Sequence, residues 1–364
     1  MTGGEGLAEE CVSLWPPVAA LCGVSAMPFH PGVPQVKIGA NHEPRQGQRI
    51  HNPGHEPRMN SVSRRTFMRG ALLSAGAAFA AAARAQRAIF PVDPRARIAV
   101  ATYPFRASIT SPHNQDRDPS KPGMDLAAFA RFVVTEFGVR GLEPLDSHFS
   151  STEHGEILKL RTAFDAAGVR TVNIPVDEKV DLCSEDEAKR EAGNAAYRRW
   201  IDTAVLLGSP SIRVWIPKCS DTSDLAKAVR ALKPTIDYAA TRNIVVNLEN
   251  DDPILASETR VIAAIQLAHS PYLRALPDFG NALMGGGEAF NAQAVKHMFA
   301  HAWNIAHVKD AEFIKGKRKT VSLSPLFDIA KASGYRGYYS MESDSDLDPF
   351  IDTRHLIEQS LTLI

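Results

Sequence analysis

Four polar residues, each closing an apolar run, constrain this chain more than any other feature: Glu249, Asp278, His307 and Glu342. The runs are IVVNLE, LRALPD, WNIAH and YYSME, and the intervals between the four are 29, 29 and 35 residues. That repeat is close to the ~31 residues of one strand-plus-helix unit in a (β/α)8 barrel of ~250 residues. Strand ends repeating at this interval gather three carboxylates and one imidazole around one mouth, a donor set suited to a hard divalent cation.

The 364-residue chain holds 41 basic and 41 acidic residues. Such balance gives no electrostatic footprint for a nucleic-acid or anionic-membrane partner. Residues 63 to 69 read SRRTFMR and run into GALLSAGAAFAAAA, ending in Ala83, Arg84, Ala85 and Gln86. Paired arginines, a phenylalanine, a modest apolar stretch and an A-x-A site make a twin-arginine export signal over residues 59–85. The stretch is too short and too alanine-rich to span a bilayer, so no stable membrane anchor is expected. The expected partner in export is the twin-arginine translocase, and the expected location is the periplasm. Residues 1–58, rich in Pro, Gly and His, read either as a disordered extension or as a mis-assigned start, with Met59 the true first residue. Pro91 and Pro94 mark 86–96 as a linker.

From residue 97 to 364, short β-rich runs alternate with amphipathic segments of helical length, the pattern of a parallel sheet with crossover helices. The strands expected are 97–103, 139–143, 170–176, 211–217, 243–249, 273–278, 304–309 and 337–342, and eight strands close a TIM barrel. In MDLAAFARFVVTEFG, Leu126, Phe129, Phe132, Val133 and Phe137 recur at helical spacing behind the cap candidate Asp125. AAGVR, ATRNI and ASGYRGY place Gly or Asn where a helix ends before a strand, so strand C-termini share the opposite mouth, where active sites of this fold lie. Cys183 and Cys219 follow adjacent strands at that mouth, and in an oxidising compartment they either pair or stay free.

Period 2 along a strand puts Asn247 on the face of Glu249 and Lys309 on the face of His307. A lysine directed into a barrel requires a partner or a substrate. Other candidates for substrate contact are Glu143 at the end of the second strand, His148 just beyond it, and Arg213 with Trp215 on the fourth, where they could clamp and stack on a sugar. Tyr103 carries the same reading on the first strand. His297 and His301 lack the glutamate of HExxH and read as solvated, and Gly285 to Gly287, with no Walker lysine, read as a flexible loop.

The motifs NLEN (247 to 250), PDFGN (277 to 281), HVKD (307 to 310) and SMES (340 to 343) resemble those of the xylose isomerase-like barrel superfamily of sugar isomerases and epimerases, over residues 97 to 364. The resemblance implies that Glu249, Asp278, His307 and Glu342 bind one divalent ion, Mn²⁺, Mg²⁺ or Co²⁺ with Zn²⁺ an alternative, and that Glu249 and Glu342 also carry protons. Asn281 stands where endonuclease IV and many ketose epimerases place a histidine, and no Asp-x-His follows HVKD. A trinuclear zinc site for DNA repair is therefore not expected, and the sugar contact at Asn281 differs from the family pattern. The expected reaction is enediolate proton transfer on an unphosphorylated carbohydrate, giving epimerisation or aldose–ketose isomerisation. Rival readings are a metal-dependent lyase or hydrolase on an oxidised sugar and a non-catalytic sugar-binding barrel. Oligomeric state is left open.

Overall fold

The computed structural model of the chain describes residues 90–219, 224–251, 258–314, 316–344 and 348–364. The expected extension, the export signal and residues 86–89 of the linker lie outside the described residues. No helix among the described residues is long and apolar enough to cross a membrane.

The strands are β1 (Ile98–Ala101), β2 (Gly141–Glu143), β3 (Arg170–Thr171), β4 (Ile174–Pro175), β5 (Ser211–Val214), β6 (Val245–Glu249), β7 (Leu273–Leu276), β8 (Ile305–Val308), β9 (Ala311–Ile314), β10 (Lys317–Thr320) and β11 (Tyr338–Met341). Two parallel arcs run β3-β2-β1-β11-β8 and β4-β5-β6-β7. β3 and β4 are two halves of the expected third strand, so the arcs join there. They meet again through bridges pairing Ala275 with Ala302 and Asp278 with His307. Pro277 has no N–H to give, but its carbonyl accepts from His307 N at 2.9 Å, and Phe279 N returns a bond to His307 O at 3.1 Å. The eight-stranded α/β barrel is thereby closed.

Helices alternate with the strands as the periodicity predicts. In the helix Leu126–Phe137, Leu126, Phe129, Ala130, Val133 and Phe137 are buried, and the Asp125 carboxylate caps the first turn by accepting from Ala128 N at 2.7 Å. Such a cap stabilises by about 1 kcal/mol. Phe132 is only half-buried and packs edge-on to Phe350, with ring centres 5.1 Å apart. Gly168 (φ 70°) and Asn243 (φ 57°) take the left-handed conformation that ends a helix before β3 and β6.

Three expectations need correction. Tyr103 is not on the first strand: β1 ends at Ala101, and Tyr103 opens the 3₁₀ segment Tyr103–Ser108. Gly285 to Gly287 are not a full loop but a break within Leu283–Phe299, where Gly286 and Gly287 both leave the helical conformation, Gly287 at φ 78°. The antiparallel pair β9–β10, between β8 and the helix Leu323–Ala332, has no counterpart among the expected elements.

Candidate metal centre

Register puts the four candidate ligands together. Glu249 ends β6 beside Leu276, Asp278 lies one bridge from His307, and Glu342 follows β11, its N–H bonded to Val308 O on β8 at 3.0 Å. One donor atom from each of the four lies within 4.8 Å of all the others, inside the span of a single coordination shell. Asp278 and His307 are fully buried, and Glu249 and Glu342 are each 7 % exposed.

His307 organises the cluster. Nδ1 lies 2.9 Å from Glu249 Oε1, 3.0 Å from Glu342 Oε2 and 3.9 Å from Asp278 Oδ2. Its Nε2 faces both Glu143 oxygens at 3.1 Å. Burial opposes a charged ring, but the Glu143, Glu342 and Glu249 carboxylates outweigh it and hold the His307 pKa well above the usual value. The neutral tautomer that donates Nε2–H to Glu143 would turn its Nδ1 lone pair to the centre, the arrangement that metal-bound histidines use. Asp278 spends Oδ1 on the backbone N–H groups of Gly280 (2.8 Å) and Asn281 (2.7 Å), while Oδ2 is buried with no hydrogen-bond partner. Burial, with Glu249 and Glu342 adding to it and Lys309 opposing, lifts the Asp278 carboxyl to about 7. Three carboxylates, one with a buried oxygen that accepts no hydrogen bond, and one oriented imidazole fit a divalent cation, and they are the residues that would hold it.

Cationic side chains close the flanks. Lys309 Nζ donates to Asn281 Oδ1 at 2.9 Å and lies 3.5 Å from both Asp278 and Glu342. Arg213 Nε is 3.0 Å from Glu249 Oε2. Burial works against ionisation of Glu249 and Glu342, yet His307 with Arg213 in the first case and with Lys309 in the second keeps both below the usual carboxylate range. Asn281, 4 % exposed, spans the two sides by donating to Glu249 Oε1 at 3.3 Å while accepting from Lys309.

Two substrate-contact expectations are corrected. Glu143 is fully buried, and its oxygens are occupied by His307 Nε2 and by Asn173 Nδ2 at 2.8 Å, so it orients the histidine and has no face for a sugar hydroxyl. His148 is 1 % exposed, with Nδ1 2.7 Å from Thr102 Oγ1; burial and the nearby Arg106 hold its pKa down to about 4. It is a neutral packed residue behind the mouth. Arg213 and Trp215 do lie at the mouth, but the guanidinium stacks on the indole, 4.7 Å from its centre.

Sequence reasoning missed Asp177, Asp251 and Glu312. Asp177 Oδ1 accepts from Arg213 Nη1 and from Trp215 Nε1, the latter at 3.0 Å. Burial, with Glu249 adding to it, raises Asp251 to about 8, and Glu312 lies 3.7 Å from Lys309. Asp177 directly follows a β-rich run, so the rule that singled out Glu249 would have found it, whereas Asp251 stands two residues beyond Glu249. The Cys183–Cys219 pair, open on sequence, is a disulfide with Cα atoms 5.0 Å apart.

Solved structures share this architecture at low identity. D-psicose 3-epimerase from Clostridium cellulolyticum H10, crystallised with D-tagatose, superposes with a TM-score of 0.60 at 12 % identity, over 73 % of this chain and 99 % of that one. A xylose isomerase-like TIM barrel protein from Mycobacterium smegmatis in complex with magnesium gives 0.55 at 17 %, over 73 % and 96 %. The 3-keto-D-glucoside 4-epimerase YcjR from E. coli, in its apo form, gives 0.54 at 16 %, over 73 % and 99 %. These likenesses establish the fold, and no curated protein matches the sequence itself. The xylose isomerase-like TIM barrel model matches residues 133–363, a span that carries all four candidate ligands, and the chain belongs to that family.

Proposed function

We propose that this chain is an exported, divalent-metal-dependent sugar isomerase or epimerase that moves a proton at the carbon next to a carbonyl. The observation that carries the reading is the pair Glu249 and Glu342, which approach His307 Nδ1 from separate strands at 2.9 and 3.0 Å beside an Asp278 oxygen that accepts no hydrogen bond. A divalent cation held there supplies Lewis acidity to a carbonyl and an adjacent hydroxyl. Glu249 and Glu342 are both held ionised, as a base must be, by Arg213 and Lys309 respectively and by His307. One ionised glutamate takes the carbon-bound proton, and the other, once it has taken a proton from solvent, delivers it from its own side while the first releases its proton to solvent. Lys309, fixed by Asn281 and Asp278, places positive charge where a substrate oxygen becomes negative. Two of the structural neighbours are named as sugar epimerases, which favours this chemistry over water activation.

Export is supported by the SRRTFMR motif and by the disulfide, which suits an oxidising compartment.

The test is proton exchange. Protein loaded with Mn²⁺, Mg²⁺ or Co²⁺ is incubated with unphosphorylated ketoses and their keto derivatives in D₂O, and the carbon-bound protons are followed by NMR. Exchange is expected in the native protein and should be abolished in Glu249→Gln and Glu342→Gln; full exchange in both variants would sink the mechanism. For export, the secreted protein should begin at Gln86, and replacing Arg64 and Arg65 by Lys should retain it in the cytoplasm.

A further inference from the structure

Beside the candidate metal centre, the segments following β4 and β5 enclose a cavity of about 640 Å³, within the ~300–1,000 Å³ usual for small-molecule sites. Asp177, Tyr197, Trp215 and Asp251 line it, and none of the four candidate ligands does. A ring seated on the quartet therefore lies outside this cavity and next to it. Arg213 joins the two spaces, with Nε 3.0 Å from Glu249 and Nη1 bonded to Asp177 on the cavity wall.

The wall is set before any ligand arrives. Trp215 is half-buried, its N–H is fixed by Asp177 Oδ1 at 3.0 Å, and Arg213 stacks on the ring. Glu178, also on the wall, has its carboxylate engaged by Arg199 at 2.8 Å and by Trp200 Nε1 at 2.9 Å. The disulfide Cys183–Cys219 ties together the segments that carry Asp177 and Trp215. Asp177 accepts from both Arg213 Nη1 and Trp215 Nε1 through Oδ1. A half-buried indole beside carboxylate acceptors suits a neutral ring with hydroxyl donors and an apolar C–H face. A phosphate would instead meet more carboxylates than lysines, Asp177, Glu178, Asp181 and Asp251 against Lys179 and Lys218, while Arg213 is already paired with two carboxylates.

We propose that this cavity is a second carbohydrate subsite, and that the substrate is a two-ring sugar whose carbonyl-bearing ring occupies the metal centre while its neighbouring ring packs on Trp215. The proposal rests on the sugar-directed reading above, so its test is binding, which does not require turnover. Metal-loaded protein is titrated with cellobiose, maltose, lactose, trehalose and sucrose, and with glucose, galactose and fructose, by calorimetry and saturation-transfer NMR. At least one disaccharide should bind tenfold or more tightly than its component monosaccharides. Trp215→Ala should erase that preference and Trp215→Phe should keep most of it. The double change Cys183→Ser, Cys219→Ser should weaken disaccharide binding more than monosaccharide binding. Equal affinity across the panel, or a preference that survives Trp215→Ala, overturns the subsite. A disaccharide preference without any proton exchange leaves the subsite standing and sinks the catalytic reading. Exchange that is equally fast on free ketoses and on disaccharides whose reacting ring carries the same carbonyl does the reverse.

Discussion

Two polar layers lie inside the barrel, one above the other, and they are built on opposite principles. The lower is neutral. Ser211 Oγ donates to Asn173 Oδ1 at 2.5 Å and accepts from Asn304 Nδ2 at 2.7 Å, and Asn247 Nδ2 reaches Asn304 Oδ1 at 3.1 Å, all four residues being fully buried. Apart from Asn247 Oδ1, which accepts no hydrogen bond, these dipoles largely satisfy one another, so the layer ties strands together with little charge to desolvate. The upper layer sets the carboxylates Glu143, Glu249, Asp278 and Glu342 against two permanent cations, Arg213 and Lys309, which also answer to Asp177 and Glu312. Left to itself it has excess negative charge and a buried Asp278 oxygen that accepts no hydrogen bond, and a bound cation relieves both. Glu143 links the layers, accepting from Asn173 below and from His307 above.

The sharpest way to break this contrast is Asp278→Asn, which removes a carboxylate from the upper layer at nearly constant shape. We expect metal binding to be lost and turnover to fall at least ~10³-fold, the scale on which removal of essential charge acts in active sites. Metal content by atomic emission and exchange rates by NMR check it; an Asp278→Asn variant that keeps its metal would mean the quartet is an ordinary buried salt-bridge cluster. Glu143→Gln should act more gently, because the amide still meets Asn173 but no longer pulls on His307. A ~10–100-fold loss of metal affinity is expected, as for the outer partners of metal-bound histidines. Unchanged affinity by competition titration would remove Glu143 from the site.

The two layers were not equally legible in the sequence. Glu249, Asp278, His307 and Glu342 could be picked out because each closes an apolar run at a repeating interval, and the barrel followed from the same alternation. The lower layer has no such signature. Asn304 finds Ser211 across 93 residues, and Glu143 finds His307 across 164, so a lone strand-end glutamate looked like a sugar contact when it was a partner for an imidazole. β9 and β10 were missed for a different reason: KRKT on β10 is exposed at every position and has no apolar alternation to read. Cys183 and Cys219 were placed at one mouth by strand count, but whether they pair depends on the path of two segments that propensity does not fix.

If the lower layer is structural, damage there should move stability and leave metal binding alone. Asn304→Ala removes the donors to Val172 O (3.0 Å) and Ser211 and the acceptor for Asn247, leaving buried groups unpaired. A loss of about 3 kcal/mol is expected, read by urea denaturation of the metal-free protein, with metal affinity within about twofold of the native value. A large fall in affinity without a fall in stability would show that the neutral layer belongs to the site.

The smallest effect expected lies at the rim, at Asp146. It is 6 % exposed, accepts from Ser147 N and Glu178 N at 2.7 Å each, and is pushed up to about 6 by burial first and by Asp177 next. Its value in the unfolded chain is near 3.8. Between these two values the folded protein holds a proton that the unfolded chain has released, so this group's contribution to stability falls as pH rises through the window and is flat above it. Rising from pH 5 to 6, the native protein should lose about 1 kcal/mol more than Asp146→Asn, in which the group cannot titrate. Urea midpoints at half-unit pH steps measure the difference. Parallel pH profiles would mean that Asp146 stays ionised when folded, and that the bonds to Ser147 and Glu178 offset its burial.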